Sequence, residues 1–413
     1  MIIIPNNNKK HNSMKSLITT VLAALALTGV PMELSGAPAS HRKAGSATAM
    51  MMQTGYVKFA VPDCRTRQLL HKFETPQIAA GAMHPDGYML CIALGAGQGG
   101  SPVCSEVLRF NTQSGSFSSI DALPANSPTF LDMTWHEPSG CFLAIAQYSG
   151  KPYSSLMKVT VDSNMTVAIT KIKDYARLYF GISADDAGRL FFVDRTEGRL
   201  WWTDAAGTGI PDAEPLPISM QPLTGVTAKY VSSISLDRDA FTLYYAVTDA
   251  SGKATLVSYD PVTGDATVKG DIGSNSKEVT GLCVATGNKA DVAAPSEFKT
   301  VTGAAGAKNA SLSWKAAPGA AGYAIYINGN LEAETQGTSY NVNSLSDGYN
   351  YIRVASTDAA GNTGGYADAF FWAGIDVPKA VSDVTTERVY PDSARLSWKA
   401  PTEGVHGGYL SPS

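Results

Sequence analysis

The sequence predicts an all-β chain: a β-propeller of five blades, with six as the alternative count, followed by a β-sandwich and part of a second. Three observations predict it. A β-hairpin motif recurs along residues 55–292 at a period close to one four-stranded blade. A second motif lies upstream of most copies, with small residues first and then apolar and aromatic ones across a tight turn. Beyond residue 295 the run Leu312-Ser-Trp314-Lys-Ala recurs as Leu396-Ser-Trp398-Lys-Ala.

At the start of the chain, Met14-Lys15 precedes an apolar run, Leu17–Val30, and a small-residue stretch, Ser35–Ala39. A positive start, a short apolar run and small residues at a cleavage point read as a secretory signal peptide over residues 1–39. The run is too short to span a membrane. The first cysteine downstream is Cys64, too distant for a lipid anchor. The expected location is secreted, periplasmic or cell-surface. Residues 40–54, rich in Ala, Met and Ser, read as a disordered lead-in.

The clearest hairpin is Leu256–Gly264, where an apolar strand runs into Asp260-Pro-Val-Thr-Gly264. Proline presets φ for the turn, and glycine takes its left-handed position. Other copies open their turns at Asp63, Asn111, Asp162 and Asp204, so successive spacings are 48, 51, 42 and 56 residues. The upstream motif occupies Ala79–Ala93, Phe130–Ala146, Tyr179–Asp194 and Ser232–Val247. Its first strand carries small or apolar side chains, as crowding about a central axis requires. Residues 56–75 supply an outer hairpin with no inner one before it, and residues 278–286 supply an inner strand with nothing after it. Joining the two closes a ring and removes open sheet edges. The irregular stretch Asp204–Tyr230 leaves room for a sixth blade, and a β-sandwich with chance turn similarity is the rival architecture.

Composition narrows the function classes. Charged residues are 16% of the chain and the formal net charge is −4, so no clustered cationic face for nucleic acid is expected. Of five cysteines, Cys91, Cys141 and Cys283 sit among apolar neighbours and read as small core residues, the preferred reading; Cys91 and Cys104, which flank the Gly95–Gly100 loop, are the candidate pair for a disulfide. No Cys-x-x-Cys occurs, and neither a metal nor a cofactor is expected.

A linker signal at Ala293-Ala-Pro-Ser296 opens the C-terminal part. Residues 295–375 resemble a fibronectin type III domain on Leu312-Ser-Trp314, Gly322–Asn328, Leu345–Tyr351 and Val354–Thr363. The resemblance implies a two-sheet sandwich with Trp314 in its core, and the Leu345 to Tyr351 spacing matches a tyrosine corner. It says little about function. Residues 378–413 repeat the opening strands and then stop, too short for a sandwich, so they read as an incomplete second domain of a longer parent, loosely attached. Leader, propeller and tandem modules together resemble large secreted or surface proteins of Bacteroidota-type bacteria.

Catalysis by a propeller of this kind requires acids projecting into the channel, and a polysaccharide hydrolase needs two. The inner strands offer Asp132; Asp185, Asp186, Asp237 and Asp239 fall at turns, where acids are ordinary. His84 and His136 follow inner strands at equivalent places, which favours a repeated turn hydrogen bond over a metal pair. No Gly-x-Ser-x-Gly or His-Glu-x-x-His motif is present. The aromatic residues Tyr148, Tyr153, Tyr179, Trp201 and Trp202, with Asp132, are the candidate binding set for a glycan or peptide; alternatively Trp201 and Trp202 point to opposite faces, one of them into a blade interface. The expected function is therefore a non-enzymatic secreted or cell-envelope binding and adhesion protein engaging a protein or glycan. The alternatives are a polysaccharide-processing hydrolase or lyase, and a scaffold whose active module lies in a missing C-terminal part.

Overall fold

A computed structural model of the chain describes residues 45–97, 101–218, 221–229, 232–273, 276–285, 290–303, 306–390 and 393–411. The export-signal reading of residues 1–39 falls outside the described residues. Strands β1 (Ser46–Met51), β2 (Gly55–Ala60) and β3 (Arg67–Lys72) come first. Next are β4 (Gln77–Met83), β5 (Tyr88–Ala96), β6 (Pro102–Asn111) and β7 (Phe117–Ala122), then β8 (Thr129–His136), β9 (Cys141–Gln147), β10 (Ser155–Val161) and β11 (Val167–Asp174). The strands β12 (Tyr179–Ala184), β13 (Leu190–Asp194), β14 (Leu200–Thr203) and β15 (Leu216–Pro217) precede β16 (Ser233–Asp237), β17 (Thr242–Thr248), β18 (Ala254–Tyr259), β19 (Ala266–Asp271) and β20 (Val279–Val284). These make five four-stranded antiparallel sheets, the first completed by β20 pairing with β1.

The innermost strands β4, β8, β12, β16 and β20 neighbour one another in a closed ring. Between each pair of adjacent sheets lies one apolar cluster. Together these make a propeller of five sheets; the irregular stretch after Asp204 carries only the short β15, and the ring holds no sixth sheet among the described residues. The repeat turns form as expected: Asp260 Oδ1 accepts Val262 N–H at 2.8 Å, and Asn111 Oδ1 accepts Gln113 N–H at 2.9 Å.

An inner strand is also a sheet edge, so half of its N–H groups need outside acceptors. Short polar side chains of the neighbouring blade supply them. Thr134 Oγ1 accepts Ala184 N–H (3.2 Å), Ser183 Oγ accepts Leu236 N–H (3.1 Å), and Ser235 Oγ accepts Val284 N–H (3.1 Å). Close approach at the axis leaves no room at Gly181, where a Cβ would meet Ile234 Cγ2 at 2.6 Å.

Two expectations are corrected in this region. Residues 46–51 are not a disordered lead-in: β1 is hydrogen-bonded on both sides, with Ala47, Ala49 and Met51 packed between the last and first blades. Small residues carry little strand propensity, and it is burial between two sheets that orders them. Nor are Cys91 and Cys104 bonded. Cys91 registers opposite Leu108 and Cys104 opposite Leu94, and their side chains enter apolar clusters on different faces of the sheet. All five thiols are free, and burial pushes Cys104 and Cys283 up to about 11. Alkylation followed by mass analysis should count five thiols in denaturant; a count of three would restore the disulfide.

The C-terminal part starts with β21 (Ser296–Thr302), β22 (Ala310–Lys315), β23 (Gly322–Ile327), β24 (Asn330–Thr335), β25 (Ser339–Val342), β26 (Gly348–Thr357) and β27 (Thr363–Ala373). A sheet ordered β21-β22-β25 faces one ordered β24-β23-β26-β27 across a shared apolar core. Trp314 lies there, its ring edge-to-face with Tyr323 at 5.3 Å. Tyr351 makes no tyrosine corner. Its ring stacks on Phe241 of the propeller at 3.6 Å and its hydroxyl donates to Asp368 Oδ2 at 2.9 Å. The hairpin β28 (Ser382–Tyr390) and β29 (Ser393–Lys399) follows. Its Leu396 and Trp398 are each 57% exposed, whereas their sequence counterparts Leu312 and Trp314 are 2% and 6% exposed. No helix among the described residues is long and apolar enough to cross a membrane.

Candidate active site

Two features occupy the channel at different depths. In its interior Asp132 on β8 is fully buried. Its Oδ2 accepts Ile182 N–H (3.1 Å) and Ile234 N–H (3.0 Å), and its Oδ1 accepts the Ser233 hydroxyl (2.8 Å). Ser233 in turn accepts Leu282 N–H at 3.0 Å. Burial pushes the Asp132 carboxyl up to about 8, against these donors, which pull it down. The acid read from the sequence as a channel group thus ties three blades together and is sealed from solvent.

At the end of the channel formed by the turns after the inner strands, a cavity of about 340 Å3 opens. All five inner strands contribute to its wall, and His84, Glu137 and Arg238 stand on the turns around it. Glu137 is solvent-exposed and opens a single 3-10 turn, Glu137–Ser139, terminated by left-handed Gly140. Its Oε2 accepts the Trp135 indole N–H at 2.6 Å, which fixes the carboxylate at the rim. The His84 ring lies flat against Tyr88 (4.5 Å) and edge-on to Trp135 (4.5 Å). Its Nδ1 accepts Asp86 N–H at 3.1 Å, so the neutral ring carries its proton on Nε2. The Asp86 carboxylate also lies 3.4 Å from Nδ1, but it is 76% exposed and screened by water. Arg238 is paired with Asp186, and its guanidinium also donates to Ala184 O at 3.5 Å.

The structure does not bring the aromatic binding set together. Tyr179, Trp201 and Trp202 are buried. Tyr179 and Trp201 pack between the third and fourth blades, counting the sheet that contains β1 as the first. Trp202 faces the other side and donates its indole N–H to Tyr349 of the sandwich at 2.9 Å. Alternation along β14 decides this: two adjacent tryptophans on one strand enter two different cores. Tyr148 and Tyr153 are half-buried away from the channel, Tyr148 bordering a groove of about 360 Å3 between the second and third blades. His136 is fully buried and structural, with Nε2–H donating to Gly188 O (3.1 Å) and Nδ1 accepting the Ser139 hydroxyl (2.6 Å); burial lowers its pKa. No group of three potential metal ligands occurs among the described residues.

Sequence reading assigned the turn residues to turn chemistry and so missed Glu137 and Arg238. The available signal was positional: charged residues recur at the same turn of successive blades, and such turns share one end of a ring.

No family model matches the chain, and no curated protein matches it. Among solved structures it is similar to a protein of unknown function from Bacteroides caccae, with 10% identity, a TM-score of 0.34, and coverage of 58% of this chain and 97% of the other. It is similar to a candidate 6-phosphogluconolactonase from Bacteroides uniformis, at 14% identity and TM-score 0.30, covering 86% of this chain and 88% of the other. It is also similar to a periplasmic gluconolactonase from Pseudomonas aeruginosa, at 13% identity and TM-score 0.32, covering 86% of this chain and 99% of the other. The expectation of a non-enzymatic binding and adhesion protein is corrected on the geometry: Tyr179, Trp201 and Trp202 of its aromatic set are consumed by two cores, and the channel mouth brings together an acid, an imidazole and a guanidinium that the sequence reading left dispersed.

Proposed function

We propose that the chain is a hydrolase of small esters, of the lactone type, acting at the channel mouth. One observation carries this reading: a carboxylate, an imidazole and a guanidinium line one cavity of about 340 Å3. That volume suits a single small ring rather than a polymer chain. Glu137 is the one carboxylate on the cavity wall among the described residues. Glycoside hydrolysis needs a pair of acids, whereas opening an ester needs one base and a donor for the carbonyl oxygen.

In the proposed step Glu137 removes a proton from water as its oxygen attacks the carbonyl carbon. The oxyanion that develops accepts a hydrogen bond from His84 Nε2–H and lies beside the Arg238 charge. The ester C–O bond then breaks, and the proton held by Glu137 passes to the departing alkoxide, giving a hydroxy acid. Glu137→Gln keeps the Trp135 contact and removes the base, so hydrolysis in a pH-stat assay over a lactone and ester panel should fall about 10²–10⁴-fold. An unchanged rate in that variant, or no turnover of any lactone or ester by the native chain, overturns the reading.

The finer architecture belongs to the same proposal. The three-plus-four sheet pairing around Trp314 supports a fibronectin type III module, and residues 1–39 support export. On this reading a small ester takes the place of the protein or glycan ligand.

A further inference from the structure

The turns around the cavity also carry a charge arrangement that hydrolysis itself does not require. Arg238 NH1 donates to Asp186 Oδ1, and the Tyr366 hydroxyl on β27 donates to Asp186 Oδ2. Both oxygens of Asp186 are thus engaged, one by the propeller and one by the sandwich. Behind this pair Arg189 is shared between Asp185 and Asp368, and Arg353 faces Asp239 at 3.5 Å. Asp237 lies in the same turn as Asp239, its carboxylate accepting Asp239 N–H and Ala240 N–H. Five aspartates therefore stand against three arginines at this end of the ring.

We propose that Asp186, clamped by Tyr366 of the sandwich, is the specificity-determining residue of the site: by masking Arg238 it makes the cavity select uncharged esters over phosphorylated or carboxylated ones. The inference rests on the hydrolase reading and deepens it. With one arm of Arg238 held by Asp186, Glu137 is the one carboxylate on the cavity wall among the described residues, and a substrate anion meets it there. A cavity built to hold an anion would leave its guanidinium fork open for bidentate contact; here one arm is committed to Asp186. Tyr366 acts through Asp186 and is a positioning residue.

The test uses a matched pair, a hydroxymethyl-substituted δ-lactone and the same lactone phosphorylated on that group, with the full chain. The native protein should favour the neutral lactone in kcat/KM by at least about tenfold. Asp186→Asn should shrink that ratio about tenfold, mainly through KM for the phosphorylated compound, and Tyr366→Phe should shrink it less. Circular dichroism confirms that both variants are folded. Calorimetric binding of the two cyclic ethers that lack the carbonyl gives a readout independent of turnover. If neither lactone is hydrolysed but the ethers bind with the stated preference, the hydrolase reading fails and the selectivity stands. A preference for the phosphorylated member, a ratio unmoved in Asp186→Asn, or no binding of either ether overturns the proposal.

Discussion

Asp132→Ala is expected to lower folding stability by about 3–5 kcal/mol, because it orphans three buried donors at once. Ile182 N–H, Ile234 N–H and the Ser233 hydroxyl all point at its carboxylate, and no water-exposed face offers a substitute. Those donors come from the fourth and fifth blades while Asp132 belongs to the third, so the loss falls on the ring itself. Urea denaturation should show a lower midpoint with little change in m. A loss below about 1 kcal/mol would mean that the blades hold together by apolar packing alone. The same residue gives a pH signature. Burial raises its pKa to about 8 from an ordinary 3.8, so between these values the folded chain keeps a proton that the unfolded chain releases. Its contribution is therefore most favourable below pH 4 and declines as pH rises toward 8, by at most about 1.4 kcal/mol per pH unit. The native-minus-Asp132→Asn stability difference should follow that slope; a flat or rising difference would place the carboxyl in its ionised form throughout.

Arg189→Met is expected to cost about 3–5 kcal/mol and to uncouple the sandwich from the propeller. Arg189 is 4% exposed, with its Nε 2.6 Å from Asp185 and NH2 2.5 Å from Asp368. Removing it leaves two buried carboxylates facing each other across the interface, in a setting where burial already raises the Asp368 pKa. Because Asp368 belongs to β27 and Asp185 to the turn after β12, calorimetry should resolve two transitions in the variant and one in the native protein. Adding Asp185→Asn and Asp368→Asn to the variant removes the stranded charges and should recover most of the loss. Failure to recover would assign the interface energy to the stacked Phe241 and Tyr351 and to Phe370 instead.

What the structure adds about function follows from where a ring places its turns. His84 and His136 were legible as equivalents, since each follows an inner strand at the start of a tight turn, and Glu137 is the next residue along. The convergence of His84 and Glu137 was not legible, because residues about 50 positions apart meet only when successive blades rotate about one axis. The aromatic pair Trp201-Trp202 shows the opposite case, conspicuous in the sequence and yet consumed by two separate cores.

By itself the sequence determined the period: Asp and Asn turn-openers, glycine at the left-handed turn positions, and small residues on the strand nearest the axis are local requirements written residue by residue. It likewise determined that a Trp-centred sandwich follows the ring. Only the tertiary structure decided that β1 is ordered and that Asp132 is a sealed clamp. It alone placed Tyr351 against the propeller and gathered Glu137, His84 and Arg238 at one mouth. Each of these depends on contacts between segments far apart in the chain, whose energies come from burial and pairing that no local pattern encodes.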